Sequence, residues 1–508
     1  MFDIIETSIK NSDKIALGLS CFILVTIPAI FGAVQPGVLF FYTGCIFILF
    51  LLRLWSEHHQ FQLLTAPGVI IPGITFLIIT LIQCLPLPLA MLKYCSPVRY
   101  HHLVSSGALL GMKDNSWHSI SYNPYESLAW QAFILSLFLF FLMMREYCSS
   151  SRKLILIVRL MLAVGVIESL YGLIQALEPS VGVLWSDRYN HGLARGTFIN
   201  RNHFAGFIGM VWPLGLGYML SRQNFYQSHT SKQHAQPMLK NILVSAQFNL
   251  LIIYVFPLTM MLLTLIFSKS RTGIVSMAVA VFTFMGLAYY QKRKTSPVFR
   301  IFGGATIVLL IFYSLRMGLG SIAERFLKLA DDTSRISMWN DGLTLLKDHP
   351  LGIGLNNFKQ VFPIYRVLSD PFAGRAIHLH NDYLQLLIES GWPGFVILTG
   401  GFLNFLGRSC YKLHIFKGRK HNSQMLLAIG AISGLISMAF HSFTDFNLQI
   451  PANALYFVTL LAIVHGCLSQ NESNYKRRKN YVNHQKHAKP ENVYCHLNTR
   501  IASYRLWR

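Results

Sequence analysis

The sequence contains few charged residues. Of its 508 residues only 13% are Asp, Glu, Lys or Arg, about half the usual share of a soluble domain. Hydrophobic residues make up 53% of the chain, and the mean hydropathy is +0.43. These values exclude a disordered chain, a fibrous repeat protein and an ordinary soluble enzyme. They predict a polytopic membrane protein.

Acidic residues and cysteines are also scarce. The chain has 21 Asp and Glu against 44 Lys and Arg, a formal net charge of +23. In a soluble protein this excess of basic residues would suggest binding to nucleic acid. Here the basic residues stand between apolar runs, and the positive-inside rule explains them. No nucleic-acid partner is therefore predicted. The eight cysteines form no disulfide framework, although a bridge between Cys84 and Cys95 is possible.

Motifs of several enzyme classes are missing. The sequence has no Walker loop, no HExxH, no CxxC pair and no GxSxG elbow. An Asp331-Asp332 pair resembles a metal diad, but a helix cap explains it more simply. We therefore predict neither a metal site nor a cofactor.

Long apolar runs dominate the sequence. A bilayer core requires roughly 20 apolar residues per helix, and the runs give about twelve candidate spans with uncertain ends. The predicted fold is an all-α, polytopic membrane helical bundle. The candidate spans are Ile15–Phe31, Val38–Leu54, Val69–Leu85, Leu128–Met144, Leu154–Ile174, Phe204–Leu220, Ile242–Phe267, Gly273–Tyr290, Ile301–Met317, Trp392–Leu406, Met425–Phe440 and Ala452–Leu468.

Charge asymmetry between alternate loops predicts the orientation. Basic residues crowd one set of loops and the tail, whereas the opposing loop 32–37 carries no charge. Both termini are therefore expected in the cytoplasm. We predict a membrane domain over residues 1–470 and a basic cytoplasmic tail over 471–508. Three polar segments fall on the outer side: Pro86–Ser127, Gln175–His203 and Gly318–Gly391.

The last of these segments, between predicted spans nine and ten, is long for a loop and carries helix signals of its own. One helix is predicted after the cap at residues 331–334, with Arg335 and Trp339 on one face and Pro350 at its end. A second is predicted from near His380 to Gly391, with His380 and Asn381 in its first turn. The N-terminal amides of that helix favour a nearby anion and a neutral imidazole.

Candidate binding residues cluster at the predicted outer boundary. Arg195, Arg201, Asn202 and His203 precede an apolar run, and Arg271 lies in a short turn where a cation contradicts the positive-inside trend. Guanidinium groups bind phosphate oxygens in a bidentate manner. Snorkelling of these side chains at the interface is the structural alternative. The loop 441–454 adds His441, Asp445, Asn447 and Asn453, either as a brace for the site or as loop structure alone.

These motifs together resemble the O-antigen ligase and polymerase family of bacterial inner-membrane proteins. The family's ligase signature, His followed by Asn, Ser or Gln, nine residues and Gly-x-x-Gly, matches His380-Asn381 and Gly391-Trp-Pro-Gly394. GTFINRNHFAG, the SRTG helix start, TSRISMWNDGL…HPLGIGLNNF and HSFTDFNLQIPANALYF also resemble the family. Together they span Arg195 to Phe457.

The resemblance implies a GT-C-like, metal-independent and inverting glycosyltransferase of the inner membrane, working at the periplasmic face. Its donor would be a glycan on undecaprenyl pyrophosphate, and its acceptor a hydroxyl of lipid A–core. Carried over by motif, Arg195 and Arg271 would hold the pyrophosphate and His380 would act as the base. Substrate-binding candidates are Arg201, Asn202, His203, Arg335, Asn381 and Asp445.

Two kinds of alternative remain open at this point. Within the family, a polysaccharide polymerase and a protein O-oligosaccharyltransferase share the donor chemistry and differ in the acceptor. Outside it, a transporter of lipid-linked glycans would need no chemistry. A transporter would favour ionisable residues near the bilayer midplane and two related halves, whereas this chain concentrates polar residues at one face and shows no internal repeat.

Overall fold

The computed structural model describes most of the chain. The described residues are 2–56, 67–109, 117–186, 192–230, 246–291, 333–366, 376–417 and 423–487, together with Gly304, Val308 and Phe312. The predicted ninth span, Ile301–Met317, and the Asp331-Asp332 cap therefore lie outside the described residues, apart from those three positions.

Helices account for nearly all regular structure in these ranges. The α-helices are, in chain order, α1 Phe2–Ala29, α2 Pro36–Ser56, α3 Pro67–Ile82, α4 Leu89–Cys95, α5 Pro97–Leu109, α6 Pro124–Tyr147, α7 Ser151–Leu177, α8 Arg201–Thr230, α9 Ala246–Phe267, α10 Arg271–Tyr290, α11 Thr333–Asp348, α12 Phe358–Val361, α13 Asp382–Ile415, α14 Ser423–His441 and α15 Pro451–His487. Short 3₁₀ turns occupy Phe31–Ala33, Phe362–Ile364 and Asn447–Gln449.

Many of these helices are suited to a bilayer. Among the described residues, eight helices are long and apolar enough to cross a membrane, and Gly68–Ile82 and Ile253–Phe267 are shorter apolar helices. The prediction of an all-α, polytopic membrane protein is confirmed, while the number of twelve spans stays a prediction. The last helix continues without a break through residue 470 to His487, and the division into a membrane domain and a tail stays a prediction.

The centre of the bundle is the contact between α8 and α14, the most extensive of the helix pairs. Gly430 and Gly434 of α14 face the backbone of α8, where an added Cβ would lie 2.5 Å from the carbonyl oxygens of Pro213 and Met210, respectively. Small residues at this spacing allow membrane helices to approach closely. The contact brings the end of α14 beside the start of α8.

An ion-pair network joins four helices at the opposite end of the bundle. Arg53 of α2 pairs with Asp13 of α1 at 2.7 Å and with Glu146 of α6. Lys153 of α7 reaches the same Asp13 carboxylate at 2.6 Å. Since this end carries the basic loops of the sequence, the network lies on the side that charge asymmetry predicts to be cytoplasmic.

The described residues of the predicted outer loop, 333–366 and 376–391, form a small helical unit on the bundle. Its second helix does not stop at Gly391, as expected, but continues as α13 through a kink at that residue, where φ is +69°. A Cβ on Gly391 would lie 2.4 Å from the Leu351 backbone, so glycine permits both the kink and the contact. Leu345 of α11, Phe358, Leu379 and Ile388 form the separate core of this unit.

Candidate functional site

The candidate site lies at the end of the bundle where α8, α10 and α13 begin. The loop from Ser442 to Ile450, which joins α14 to α15, crosses this end. The backbone N–H of Asp382 donates to the carbonyl oxygens of Ser442, at 2.9 Å, and of Asp445, at 3.2 Å. These bonds fix the first turn of α13 to the loop.

Asp445 is the hub of the site. Its Oδ1 lies 3.1 Å from His380 Nδ1 and accepts the Phe446 backbone N–H at 2.9 Å. Its Oδ2 accepts from Asn202 Nδ2 at 2.7 Å, and His203 Nε2 lies 3.9 Å from Oδ1. One carboxylate thus joins the beginnings of α8 and α13, which are far apart in sequence.

The charge on Asp445 is stabilised by these neighbours. The side chain is only 1% exposed, and burial by itself raises the pKa of a carboxyl group. The hydrogen bond from His380 and the nearby imidazoles of His203 and His441 outweigh burial and hold the pKa of Asp445 well below its usual range. Asp445 is therefore an ionised hydrogen-bond acceptor at neutral pH.

His380 precedes α13 instead of lying in its first turn, as the sequence suggested. Asn381 is the N-cap, and its side chain accepts the Leu384 N–H at 3.0 Å. His380 has a φ of +53°, a conformation that is uncommon outside glycine. Its imidazole is 31% exposed, and its Nδ1 faces Asp445.

The Phe446 ring organises the neighbouring histidines. His378 stacks on it at 4.2 Å between ring centroids, and His203 and His380 contact it edge-on at 4.6 and 4.9 Å. Burial lowers the pKa of His378 to about 4, although its hydrogen bond with Gln385 opposes the shift. His378 is therefore neutral near pH 7. The sequence analysis did not predict a role for Phe446. Its position next to Asp445 in the sequence was the one feature that could have indicated it.

The turn before α10 contacts the same network. Ser270 caps α10 by accepting the Gly273 N–H at 3.3 Å, and its hydroxyl donates to Asn202 Oδ1 at 2.8 Å. The Thr444 hydroxyl donates to that of Thr272 at 2.9 Å. Arg271 lies between Ser270 and Thr272 with an exposed side chain. The turn that carries Arg271 is thus tied to the Asp445 loop directly through Thr272, and through Asn202 of α8 on the Ser270 side.

Two further cations lie at this end. Arg335, in the first turn of α11, donates from Nη1 to the Thr444 carbonyl oxygen at 3.3 Å. Arg201 is the first residue of α8 and is half-buried beside Asn202. The helices whose first turns carry these arginines and Arg271 are connected by the loop after α14. Asp445 bonds to Asn202 of α8, and Thr444 bonds to Thr272 of α10 and to Arg335 of α11.

Arg195 is held by its own turn. Its Nη1 donates to the Ile199 carbonyl oxygen at 3.0 Å, and its backbone N–H donates to Gln175 Oε1 at 3.1 Å. The Thr197 backbone N–H donates to Glu168 Oε2 at 2.8 Å, and the Thr197 hydroxyl lies 2.8 Å from Oε1. Glu168 fixes this turn from within α7.

An apolar cavity of about 300 Å³ reaches the site from between the helices. Its walls come from α3, α6, α13 and α15, and include Phe76, Phe133 and Phe457. At one end it reaches Asp382 and Tyr383, the first residues of α13 after His380 and Asn381. No group of three or more His, Cys, Asp or Glu side chains in the described ranges could hold a metal ion.

Comparisons with known proteins agree with the resemblance. A family described as O-antigen ligase matches residues 256–399, a range that contains Arg271, Arg335 and His380 but not Arg195 or Asp445. The exopolysaccharide production protein ExoQ of Rhizobium meliloti (strain 1021) is 27% identical over 180 residues, which cover 33% of this chain and 40% of that protein. The chain thus spans about two fifths of the length of the curated relative it matches. These matches and the helical architecture support the resemblance to the O-antigen ligase and polymerase family, with residues 256–399 as the matched region.

Proposed function

We propose that the protein transfers a glycan from undecaprenyl pyrophosphate to an acceptor hydroxyl at the periplasmic face of the bacterial inner membrane. The observation that carries the proposal is the hydrogen bond between His380 Nδ1 and the buried, ionised Asp445. With the Nδ1 proton donated to this carboxylate, Nε2 is left as an acceptor for the proton of an incoming hydroxyl.

Asp445 contributes to this step in two ways. It selects the tautomer in which the accessible ring nitrogen is unprotonated, and it stabilises the imidazolium that forms when that nitrogen takes up a proton, as in other carboxylate–histidine pairs. The bond from the anomeric carbon to the pyrophosphate oxygen breaks while the bond to the acceptor oxygen forms. The proton goes to His380, and undecaprenyl pyrophosphate leaves. Direct displacement predicts inversion at the anomeric carbon.

The leaving diphosphate requires stabilisation of negative charge. Arg195, Arg201, Arg271 and Arg335 belong to segments at the end of the bundle where the N-termini of α8, α10 and α13 meet. Fixed cations and helix N-termini are effective there because they need little rearrangement as charge develops. This cluster supports Arg195 and Arg271 as the pyrophosphate ligands, and Arg201 and Arg335 as further contacts.

The apolar cavity supports a lipid-linked donor. Its walls could accommodate part of an isoprenoid chain, while its end at Asp382 and Tyr383 lies next in sequence to His380 and Asn381. A donor held in this way would present its diphosphate to the arginine cluster. The side chains of Asn381 and Asn202 are engaged in the cap of α13 and in the Asp445 network, so we propose positioning roles for them.

Two acceptors compete for this reaction. The matched family is described as O-antigen ligase, which favours lipid A–core as the acceptor. The relative named for exopolysaccharide production favours a polymerase, whose acceptor is another lipid-linked repeat unit. Deletion followed by gel analysis of lipopolysaccharide separates them. Loss of all capped lipid A–core supports the ligase, retention of a single repeat supports the polymerase, and unchanged lipopolysaccharide with altered glycoproteins supports a protein acceptor.

The reaction itself is tested with purified protein and a glycan on undecaprenyl pyrophosphate. We expect His380→Ala to lower transfer by about 10²-fold or more, the usual contribution of a general base, with little loss of donor binding. Arg271→Ala should weaken donor binding as well. His101→Ala, an exposed histidine of α5, is the matched control and should behave as wild type. Full transfer by His380→Ala would refute the role of His380.

A further inference from the structure

A second polar cluster lies in the helical unit on the predicted outer side, away from His380. The Tyr122 hydroxyl lies 3.2 Å from His349 Nε2 and 3.3 Å from His102 Nδ1. His349 Nε2 is 3.1 Å from the hydroxyl of Tyr365, which donates to Asp348 at 2.9 Å. None of these residues takes part in the proposed transfer step.

Arg99 is the unusual member of this cluster. Its guanidinium lies over the Tyr122 ring, 4.4 Å from the centroid, and the residue is only 7% exposed. Its Nε is buried and has no hydrogen-bond partner in the part of the chain that the structure describes. Among the described residues, no carboxylate forms an ion pair with Arg99, and Asp348 of the cluster accepts a hydrogen bond from Tyr365.

The surroundings of Arg99 favour an anion. Burial lowers the pKa of Arg99 to about 10, so the side chain is charged at neutral pH. It lies in the first turn of α5, where the helix dipole is itself positive. A buried charge without a counter-charge is costly, and proteins normally pair it. A cation at the positive end of a helix, beside His102 and His349, therefore lacks the negative partner that its position requires.

We propose that this cluster binds an acidic substituent, a phosphate ester or a carboxylate, on a sugar of the acceptor glycan. The guanidinium of Arg99 would form charge-assisted hydrogen bonds with the oxyanion. The hydroxyls of Tyr122 and Tyr365 are bonded to His349 and Asp348, so the guanidinium supplies the contact with the oxyanion. This inference rests on the proposed function, because it concerns the acceptor of that reaction.

The cluster is connected to the candidate site through the backbone. The Tyr122 N–H donates to the Ile353 carbonyl oxygen at 3.0 Å, and the Ile353 N–H donates to that of Ile388 in α13 at 3.1 Å. Ile388 lies in the straight part of α13 between Asn381 and the kink at Gly391. An acceptor held at Arg99 would thus be bound by the same rigid unit that carries His380.

The first test measures binding without any transfer. The melting temperature of the full chain in detergent is followed with glucose 6-phosphate, glucuronate, uncharged glucose and inorganic phosphate. We expect the two acidic sugars to stabilise wild type and glucose to have no effect. The shift should disappear in Arg99→Gln and persist in His380→Ala and Arg271→Ala, which separates this site from the donor site and from the proposed chemistry.

Two results would overturn the proposal. Sugar-dependent stabilisation that survives in Arg99→Gln would place the anion elsewhere. An equal effect of inorganic phosphate would show an anion site that does not recognise a glycan. Should that variant fail to fold, Arg99→Lys keeps the charge without the planar fork, and should weaken acidic-sugar binding relative to wild type.

The second test uses the transfer assay with an acidic acceptor. Arg99→Gln is expected to raise the acceptor KM about tenfold, the loss of roughly one charge-assisted contact, while kcat stays close to wild type. A fall in kcat at unchanged acceptor KM would contradict a binding role for Arg99. If no transfer is observed even for wild type, the proposed function fails, and the binding test still decides whether Arg99 holds an acidic sugar.

Discussion

Glu168 accepts the backbone N–H of Thr197 at 2.8 Å, and through this bond a carboxylate in the middle of α7 fixes the turn that carries Arg195. An added Cβ on the intervening Gly196 would lie 2.2 Å from Glu168 Oε2. The close approach depends on glycine, so the turn and the carboxylate form one unit. Arg195 is therefore positioned from within the bundle as well as by its own loop.

Glu168→Ala should weaken donor binding. The substitution leaves the Thr197 N–H buried without an acceptor, which costs about 1–3 kcal/mol, and it frees the turn that holds Arg195. We expect a higher KM for the lipid-linked donor in the transfer assay with a smaller change in kcat. Glu168→Gln is the matched control, because its amide oxygen can still accept from Thr197 N–H. Equal defects in the two variants would contradict a hydrogen-bonding role.

Asp445→Asn should lower kcat more than it raises the KM of the donor. Asparagine keeps the shape of the side chain but replaces one acceptor oxygen with an amide donor, while Asp445 accepts from His380 on one side and Asn202 on the other. The substitution therefore disturbs either the tautomer of His380 or the bond to Asn202, and it removes the charge that stabilises imidazolium. A kcat fall of about 10²-fold or more is expected from comparable pairs.

The control for this variant is Asn202→Ala, which removes the bond on the α8 side and leaves the His380–Asp445 pair in place. We expect it to change kcat much less than Asp445→Asn does. A larger kcat defect in Asn202→Ala would show that Asp445 acts mainly as a structural brace. That result would leave His380 without a carboxylate partner of catalytic importance.

The membrane helices were predictable because the length of an apolar run is a direct physical signal. The run Leu128–Met144 lies within α6, and Ala452–Leu468 lies within α15. His380 and Asp445 were each predicted as candidates, but their hydrogen bond joins residues 65 apart and depends on how α13 packs against the loop after α14. Asn381 was predicted to bind substrate, but its side chain caps α13 by accepting the Leu384 N–H. The motif alone did not distinguish these two roles.

Close packing of α8 on α14 should be needed for the site. A methyl group on Gly434 would meet the Met210 carbonyl oxygen at 2.5 Å, and overpacking of this kind costs about 1–3 kcal/mol. Gly434→Ala should therefore lower the melting temperature in detergent and, by separating the helices, move Asn202 relative to Asp445. Gly407→Ala on α13 is the control, because nothing lies within 4 Å of its added Cβ. Equal stability of the two variants would contradict this account.

Acidification should destabilise the helical unit through His349. Burial lowers the pKa of His349 to about 4, whereas in an unfolded chain a histidine has a pKa of about 6.5. Between these values the unfolded state binds more protons, so the free energy of unfolding falls as the pH is lowered from about 6.5 towards 4. His349→Gln, which cannot take up a proton, should show a weaker fall in melting temperature over this range. The exposed His101→Gln should leave the pH profile unchanged, and a His349→Gln profile identical to wild type would contradict the burial of a neutral imidazole at this position.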